Sequence, residues 1–461
     1  MSDEYQLPLF KATEMNQDEK ELRQKPRLEV YKEYSILVGE DDVVKVVWFE
    51  GGQSVEAQAR YKLITETFKQ GFIQRKIQEA SSPSTAPTWE SNLSPAQKKG
   101  LEQVVASINA QTGRALVQIF VLQLAIKTIC PQQDIRIHKG AKRPKSQQFS
   151  WKEGISMRTL DSAFVVPALK EQGLLRVNQF GAFMTRTFAE NYPYTAFYKA
   201  EISGAKQRWL ELVEELESGT LNPEAALLYV LNLLWRASEK FKGLVSEILL
   251  ILDQWFLQKK LFSMTAATNL ISRHIESSEA RARLLEVAMH SLLQALEELG
   301  VDLTGTLKPL MPMRTANLKH KNLGDVEIVL GNRIIEAWDA KYKNPYLSDA
   351  IEELRDKVFE RNVSELVFGY VVFPEREEFV EDNKKIRDIM EEFGIEVKVL
   401  AFHEWVCYQS ERVQDENISE NTLAQLWLRV YVESLGQQRR QKAPIDEPTV
   451  AWVKSLQDIL V

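Results

Sequence analysis

The polar and apolar positions of the last third of the chain predict an alternation of strands and helices. After Gly300, apolar runs with a period of two are separated by segments with a period near 3.6. We predict strands at 325–330, 334–342, 365–373 and 395–402, and helices at 348–361 and 378–393. Strands that alternate with helices in this order are typical of an α/β domain with a mixed sheet.

The earlier part of the chain has a different pattern. Residues 27–50 contain two β-rich runs separated by "GEDD", and a helical pattern follows, which predicts a small α+β unit over residues 1–80. The segment 81–95 is rich in Ser, Pro and Thr and is typical of a linker. Residues 203–300 keep a helical period almost throughout, and we predict a helical bundle that connects domains or forms a dimer interface. A further helical segment is predicted over residues 411–461.

Residues 95–202 predict a winged-helix-like DNA-recognition region. A short helix begins near Ser156, Pro167 begins a second one, Gly173 ends it, and two strands flank the turn "NQFG". Basic residues accompany this pattern and are suited to contacts with DNA phosphates. They are Arg136, His138, Lys139, Lys142, Arg143, Lys145, Lys152 and Arg158. The alternative is a helical packing domain with a basic surface.

Composition limits the classes of protein to consider. A chain of 461 residues with 44% hydrophobic content has room for two to four domains, so a multidomain α+β protein is expected. The formal net charge of -7 shows no overall basic character, although an enzyme that releases DNA needs only local basic clusters. The two cysteines, Cys130 and Cys407, have no zinc or disulfide spacing. We expect a cytoplasmic protein that does not bind a membrane.

Charged residues interrupt the first two strands of the α/β region. In "IIEAWDAKYK" strand alternation puts Asp339 and Lys341 on one face and Glu336 on the other. In the preceding strand Asp325 and Glu327 share a face, and the turn "LGNR" between the strands predicts a hairpin. If the register aligns these faces, three carboxylates and one ammonium group meet at the end of the sheet.

Such a cluster of oxygen ligands favours a hard cation. Mg²⁺ binds one or two carboxylates and completes its coordination with water and phosphate oxygens, and Mn²⁺ is able to substitute for it. The lysine is placed to stabilise charge on a phosphate, or to act as a base if its pKa is lowered. The alternative is that Asp-x-Lys is simply the solvated face of a strand.

The residues Asp325 and, fourteen positions later, Asp339-Ala340-Lys341 resemble the motif of the PD-(D/E)XK nuclease superfamily. The resemblance implies a nuclease core over residues 279–410, in which a helix, a three-stranded meander, a helix and a further strand follow one another. It also implies that Asp325, Asp339 and the Ala340 carbonyl bind the metal and that Lys341 is the catalytic lysine.

Gly324, Glu286 and Glu327 also bear on the resemblance. Gly324 stands where the name of the superfamily has Pro, which is a common variation. Some members use an additional acidic residue from the first helix, and Glu286 in "ARARLLEVAMHSLLQAL" is the candidate here. Glu327 is a further acidic candidate for the catalytic group.

Two other segments suggest partners. Arg314, Lys319 and Lys321 precede the first acidic strand and are suited to DNA backbone contacts, with a solvated loop as the alternative. The peptide "QLPLF", Gln6 to Phe10, resembles the short peptide with which bacterial replication and repair proteins bind the sliding clamp. Its alternative role is to pack onto its own domain.

These observations predict a sequence-specific, Mg²⁺-dependent DNA endonuclease of the type II restriction class. The order of segments in residues 157–202 is also similar to the N-terminal parts of bacterial restriction endonucleases. Cutting both strands of a palindrome requires two sites, so a homodimer or higher homo-oligomer is expected. Two alternatives stay open: a non-catalytic winged-helix DNA-binding regulator, and a repair or modification-dependent nuclease.

Overall fold

The structure, a computed structural model, separates the chain into two compact units, Met1–Ser238 and Glu239–Val461. It describes residues 25–82, 89–109, 113–138, 151–178, 181–184, 186–189, 193–258, 262–310, 322–343, 347–361, 366–374, 380–416, 418–440 and 447–461. The architecture is mixed α and β, with one three-stranded and one five-stranded sheet. The expected multidomain α+β class is therefore confirmed at this coarse level.

The first unit starts with a three-stranded antiparallel sheet in the order β1-β2-β3. Its strands are β1 (Arg27–Val30), β2 (Tyr34–Val38) and β3 (Val44–Phe49), and a 3₁₀ helix at Glu40–Asp42 joins the last two. The sequence predicted two strands here. The structure has three because the first β-rich run reverses at a turn closed by the Tyr31 N–H and the Tyr34 carbonyl oxygen, 2.9 Å apart.

Helices make up the rest of the first unit. They are α1 (Val55–Lys69), α2 (Phe72–Ser81), α3 (Pro95–Ala106), α4 (Gly113–Ile129), α5 (Met157–Leu160), α6 (Val166–Glu171), α7 (Arg186–Ala189), α8 (Lys206–Glu217) and α9 (Pro223–Gln258), and the boundary between the two units falls within α9. The start of α3 shows how the sequence determines where a helix begins. The Ser94 hydroxyl accepts the Gln97 N–H while the Gln97 side chain accepts the Ser94 N–H, and Pro95 opens the helix.

Helix α4 lies at the centre of the first unit. Every residue from 116 to 127 is buried, as expected for a helix that is apolar on all sides. Its buried polar groups have partners: the Gln118 amide donates to Asp161 at 2.7 Å, and the Lys127 ammonium lies 2.9 Å from Glu217. Burial of such groups is tolerated because these bonds replace those with water.

A large hydrophobic core runs through the helices of the first unit, and a smaller separate core of Trp48, Ile137 and Trp151 packs against the three-stranded sheet. The large core includes Ile64 of α1, Leu101 of α3, Phe120 of α4 and Leu234 of α9. The segments predicted as 1–80, 95–202 and the start of 203–300 thus contribute to a single unit, since the linker at 81–95 joins helices that pack against the same centre.

The two helices predicted in the winged-helix-like region are present, whereas its predicted strands are not found among the described residues. Helix α5 follows Ser156, α6 begins beside Pro167, and a π-helical turn, Asp161–Val165, joins them. Among the described residues around the predicted wing, 174–178 and 181–184, there is no strand; Ala182–Met184 forms a 3₁₀ helix instead. The reason is burial: these apolar residues enter the core, and the Ala182 N–H donates to the Asp161 carboxylate at 2.9 Å rather than to a strand.

The second unit is built on a mixed five-stranded sheet in the order β4-β5-β6-β7-β8. The strands are β4 (Thr306–Leu307), β5 (Val326–Leu330), β6 (Arg333–Tyr342), β7 (Val367–Phe373) and β8 (Glu396–Ala401). Strands β4, β5 and β6 pair antiparallel, whereas β6, β7 and β8 pair parallel. The four strands predicted after Gly300 are confirmed with ends shifted by one or two residues.

The helices of the second unit follow the end of α9. They are α10 (Met264–Ser277), α11 (Arg281–Glu298), α12 (Leu347–Arg361), α13 (Val380–Phe393), α14 (Phe402–Ser410), α15 (Glu420–Leu435) and α16 (Thr449–Leu460), with a 3₁₀ segment at Glu411–Glu416. The predicted helices at 348–361 and 378–393 are confirmed as α12 and α13. From α11 to β7 the order is helix, three strands, helix and strand.

Both faces of the five-stranded sheet are covered. Trp338 of β6 packs on one face in a core shared with α10, α11, α14, α15 and α16. Ala337, the residue before Trp338, points to the opposite face, where it packs in a core shared with α12 and α13. Because α15 and α16 belong to the first of these cores, the segment predicted separately as 411–461 is part of the same unit. In the described part of the chain, no helix combines the length and apolar character needed to cross a membrane.

The turn before β5 requires a residue without a side chain. A Cβ atom at Gly324 would lie 2.6 Å from the Trp338 carbonyl oxygen. We therefore predict that Gly324→Ala lowers the free energy of unfolding by about 1–3 kcal/mol, measured by urea denaturation. Gly243→Ala is the control: nothing lies within 4 Å of its Cβ position in α9, and we expect stabilisation of about 0.5–1 kcal/mol. Equal effects at both positions would contradict this assignment.

Two buried histidines make the second unit sensitive to acid. His274 Nε2 lies 2.8 Å from the Trp452 carbonyl oxygen and Nδ1 lies 2.8 Å from the Tyr431 hydroxyl. Since a carbonyl only accepts, Nε2 carries the proton and Nδ1 accepts from the hydroxyl, so the ring is neutral. Burial lowers the pKa of His274 to about 4, and burial likewise lowers the pKa of His290 to about 4.

We predict a loss of stability on acidification that depends on these rings. Because the folded pKa lies below the unfolded value of about 6.5, the unfolded chain binds protons first as pH falls. For each histidine the free energy of unfolding should fall by up to about 3 kcal/mol between pH ~6.5 and ~4. The slope, measured by urea denaturation across this range, should be smaller in His274→Gln. An identical slope in the variant would refute the buried neutral ring.

Candidate active site

The β5–β6 hairpin brings Asp325 beside Asp339. Val326 is the register partner of Trp338, and the Asp325 N–H donates to the Trp338 carbonyl oxygen at 2.9 Å. Asp325, one residue before β5, therefore lies across from the residue that follows Trp338. Its Oδ2 atom also accepts the Ala340 N–H at 2.9 Å, which orients the carboxylate.

The two aspartates form a pair of like charges that are largely removed from water. Their side chains are in hydrogen-bond contact. Burial raises the pKa of the Asp325 carboxyl well above its ordinary value, and the nearby carboxylates of Asp339 and Glu286 raise it further; the Ala340 N–H acts in the opposite direction. Carboxylates this close are stable together only if they share a proton or bind a cation.

Glu286 on α11 is the third acidic group of the site. Its carboxylate forms an ion pair with Arg283, whose Nε also donates to Glu447 at 2.9 Å. Burial raises the pKa of the Glu286 carboxyl, Arg283 lowers it, and the charges of Asp339 and Glu447 raise it. The structure thus brings the acidic residue suggested for the first helix together with the two aspartates of the strands.

Lys341 supplies positive charge to the site. Its Nζ lies 2.6 Å from Asp339 Oδ2 and 5.6 Å from the centre of the Tyr370 ring on β7. Burial acts to lower the pKa of the Lys341 ammonium, but Asp339 and then Asp325 raise it above its ordinary value. The ammonium therefore stays protonated, and of the two roles considered for Lys341 the geometry favours charge stabilisation over action as a base.

Tyr370 is a neighbour of the site that the sequence did not suggest. It is the register partner of Asp339 in the parallel β6–β7 pair, and its hydroxyl donates to the Ala350 carbonyl oxygen of α12 at 2.5 Å. An aromatic ring attracts an ammonium group placed over its face. The ring therefore helps to hold Lys341 in place. Only the parallel pairing of distant segments reveals this contact.

Glu327 and Glu336 bind groups other than the pair of aspartates. The Glu327 carboxylate is buried and contacts Lys308 Nζ at 2.5 Å together with two backbone N–H groups. Glu336 lies on the opposite face of β6, as strand alternation predicted, where it accepts hydrogen bonds from Trp338 and Gln409. Glu327, a candidate catalytic group in the sequence, is thus engaged elsewhere.

A cavity of about 650 Å³ adjoins Glu286. Its walls come from the start of α11 and from the end of β6, including Arg281 and Tyr342. The Arg281 guanidinium donates to the Tyr342 hydroxyl at 2.8 Å. Strand alternation turns the Tyr342 side chain to the face opposite Lys341, so among the site residues the cavity borders Glu286 rather than the Lys341 ammonium.

The donor groups at the site suit a hard divalent cation. In the described part of the chain, no group of three or more His, Cys, Asp or Glu side chains is arranged to hold a metal ion. The carboxylates of Asp325 and Asp339 nevertheless present oxygen ligands, and Mg²⁺ needs only one or two carboxylates when water completes its coordination. Their repulsion, seen in the raised pKa of Asp325, is relieved by a cation. Ala340, whose carbonyl oxygen is the third predicted ligand, directly follows Asp339 on β6.

The predicted DNA contacts lie mostly outside the described residues. This holds for Lys139, Lys142, Arg143, Lys145, Arg314, Lys319 and Lys321. The predicted sliding-clamp peptide, Gln6 to Phe10, also lies outside the described residues. Arg158 is described and exposed on α5. The prediction that Arg136 contacts DNA phosphates is corrected by the structure. Its side chain is buried and pairs with Asp134 at 2.9 Å and with Glu214 at 3.2 Å. Its charge is therefore neutralised inside the protein.

Comparison with known proteins adds no relative to this description. Neither a scan against protein-family models nor a search of the curated proteins found a match to the chain.

Proposed function

We propose that this protein is a sequence-specific, Mg²⁺-dependent DNA endonuclease of the type II restriction class. It hydrolyses phosphodiester bonds of double-stranded DNA. The observation that carries the proposal is the meeting of Asp325, Asp339 and Lys341 at the end of β6, with Glu286 beside them. The resemblance of these residues to the PD-(D/E)XK motif and the order of elements from α11 to β7 support it.

The side chains of the site have separate roles in this reaction. Asp325 and Asp339 hold the divalent cation, and the Ala340 N–H keeps the first of these carboxylates in a fixed orientation. When bound, Mg²⁺ supplies Lewis acidity that lowers the pKa of a water molecule and neutralises charge on the phosphate. The protonated Lys341 would donate hydrogen bonds to the phosphate oxygens or to the attacking water. This stabilises charge as the water oxygen bonds to phosphorus and the bond from phosphorus to the leaving sugar oxygen breaks, with one water proton lost to solvent and the leaving oxygen protonated from solvent.

Glu286 contributes negative charge close to both aspartates. Its pairing with Arg283 fixes its position on α11. Cutting both strands of a palindromic site calls for two such clusters, so the proposal includes a homodimer or higher homo-oligomer. Cleavage of plasmid or phage DNA into discrete fragments with Mg²⁺, and none with EDTA, distinguishes this enzyme from a DNA-binding regulator without catalytic activity.

Replacement of the charged groups should strongly slow cleavage. We predict that Asp339→Asn and Lys341→Met each reduce the cleavage rate by about 10²–10³-fold, because the first removes a charged ligand of the cation and the second removes positive charge that stabilises the transition state. Cleavage is measured on plasmid DNA with Mg²⁺, and DNA binding is measured by fluorescence anisotropy. Glu336→Gln, on the opposite face of β6, serves as the control and should cut normally. Normal cleavage by either site variant would refute the assignment.

The ring of Tyr370 should matter more than its hydroxyl. Tyr370→Phe keeps the aromatic face beneath Lys341, whereas Tyr370→Leu removes it. We predict a rate close to wild type for the first variant and a loss of about tenfold for the second, as expected for a partly buried cation–π contact. The measurement is the initial rate of cleavage at saturating DNA. Equal rates in the two variants would show that the ring does not hold the lysine.

A further inference from the structure

The carboxylate of Glu327 is fully used by contacts inside the protein. Its side chain is 1% exposed. Oε1 accepts the Leu323 N–H at 2.5 Å and the Gly324 N–H at 3.3 Å, and Oε2 lies 2.5 Å from Lys308 Nζ. A buried carboxylate with three donors keeps a fixed position because moving it would leave donors without partners.

The two N–H groups that Glu327 binds belong to the turn that leads into Asp325. The end of this turn is held on its other side by the bond from the Asp325 N–H to the Trp338 carbonyl oxygen. Gly324 passes too close to the Trp338 backbone to carry a side chain that could secure the turn itself. The acceptor for the turn must therefore come from elsewhere, and Glu327 provides it.

Both oxygens of Glu327 are engaged by groups other than the aspartates. Oε1 accepts from two backbone N–H groups and Oε2 contacts Lys308 Nζ. Lys308, the ionic partner of Glu327, is 36% exposed and is readily solvated without that partner. The bonds to the backbone N–H groups, unlike the ion pair, have no substitute in water at this buried position.

We propose that Glu327 is a positioning residue, which places the Asp325 carboxylate by accepting hydrogen bonds from the Leu323 and Gly324 N–H groups. The proposal rests on the function proposed above and assigns a role within that site. It also states which property of Glu327 is needed: an oxygen acceptor at Oε1, not a negative charge. A glutamine, which keeps this acceptor, should therefore replace it.

The test compares Glu327→Gln with Glu327→Leu. We expect Glu327→Leu to lower kcat for DNA cleavage by about 100-fold with little change in KM, since a shift of about 1 Å in a catalytic group has an effect of this size. Glu327→Gln should stay within about threefold of wild type, because an amide oxygen still accepts the two bonds. Glu336→Leu is the matched control: it also removes a buried carboxylate from this sheet, and it should leave kcat unchanged below the unfolding temperature.

A second measurement does not depend on cleavage. Hydrogen exchange of the Leu323 and Gly324 amides should be about tenfold faster in Glu327→Leu, because each loses its hydrogen-bond acceptor. It should be unchanged in Glu327→Gln and in Glu336→Leu. Unchanged exchange in Glu327→Leu would overturn the proposal, and so would an equal loss of kcat in the Gln and Leu variants.

The two proposals fail in distinguishable ways. If the wild-type protein cuts no DNA with Mg²⁺, the proposed function is overturned, and the exchange rates still decide whether Glu327 holds the turn. If the wild-type protein cuts DNA and Glu327→Leu has a normal kcat, the positioning role is overturned and the proposed function stands.

Discussion

The repulsion between the Asp325 and Asp339 carboxylates is the constraint on which the second unit depends. Two carboxylates in contact and away from water are unfavourable, as the raised pKa of Asp325 reflects. They stay together because the hairpin that carries them cannot shift its register. Trp338, the register partner of Val326 and the residue before Asp339, is fully buried against Trp405 and Tyr408. A slip of one residue would turn this large side chain to the other face of the sheet.

The charge of this pair is balanced by groups from several segments. Lys341 comes from the same strand, and Glu286 introduces a further negative charge that Arg283 offsets. Arg283 also pairs with Glu447, which lies in the last segment of the chain and binds Arg440 at 2.8 Å as well. A buried charge is stable only beside a partner. Removal of one member would therefore leave its neighbours as unpaired charges in the protein interior. The C-terminal segment is therefore tied electrostatically to the acidic cluster.

Local patterns were enough to predict most elements of the second unit and three members of its cluster. The period of two separated Asp339 and Lys341 from Glu336 because successive side chains of a strand point to opposite faces. Local patterns failed where burial by distant segments decided the conformation. The predicted wing strands are the example, since apolar residues near Ala182 entered the core around α4 instead of pairing.

The sequence alone determined which residues share a face, where strands and helices alternate, and which acidic residues were candidates to lie close together. It could do so because these features depend on spacing within a few residues. The tertiary structure alone decided that Tyr370 lies beside Lys341, that Glu447 holds Arg283, and that Glu327 secures a turn rather than joining the aspartates. These contacts depend on the pairing of segments far apart in the chain and on which donors burial leaves without water, and neither is encoded in local spacing.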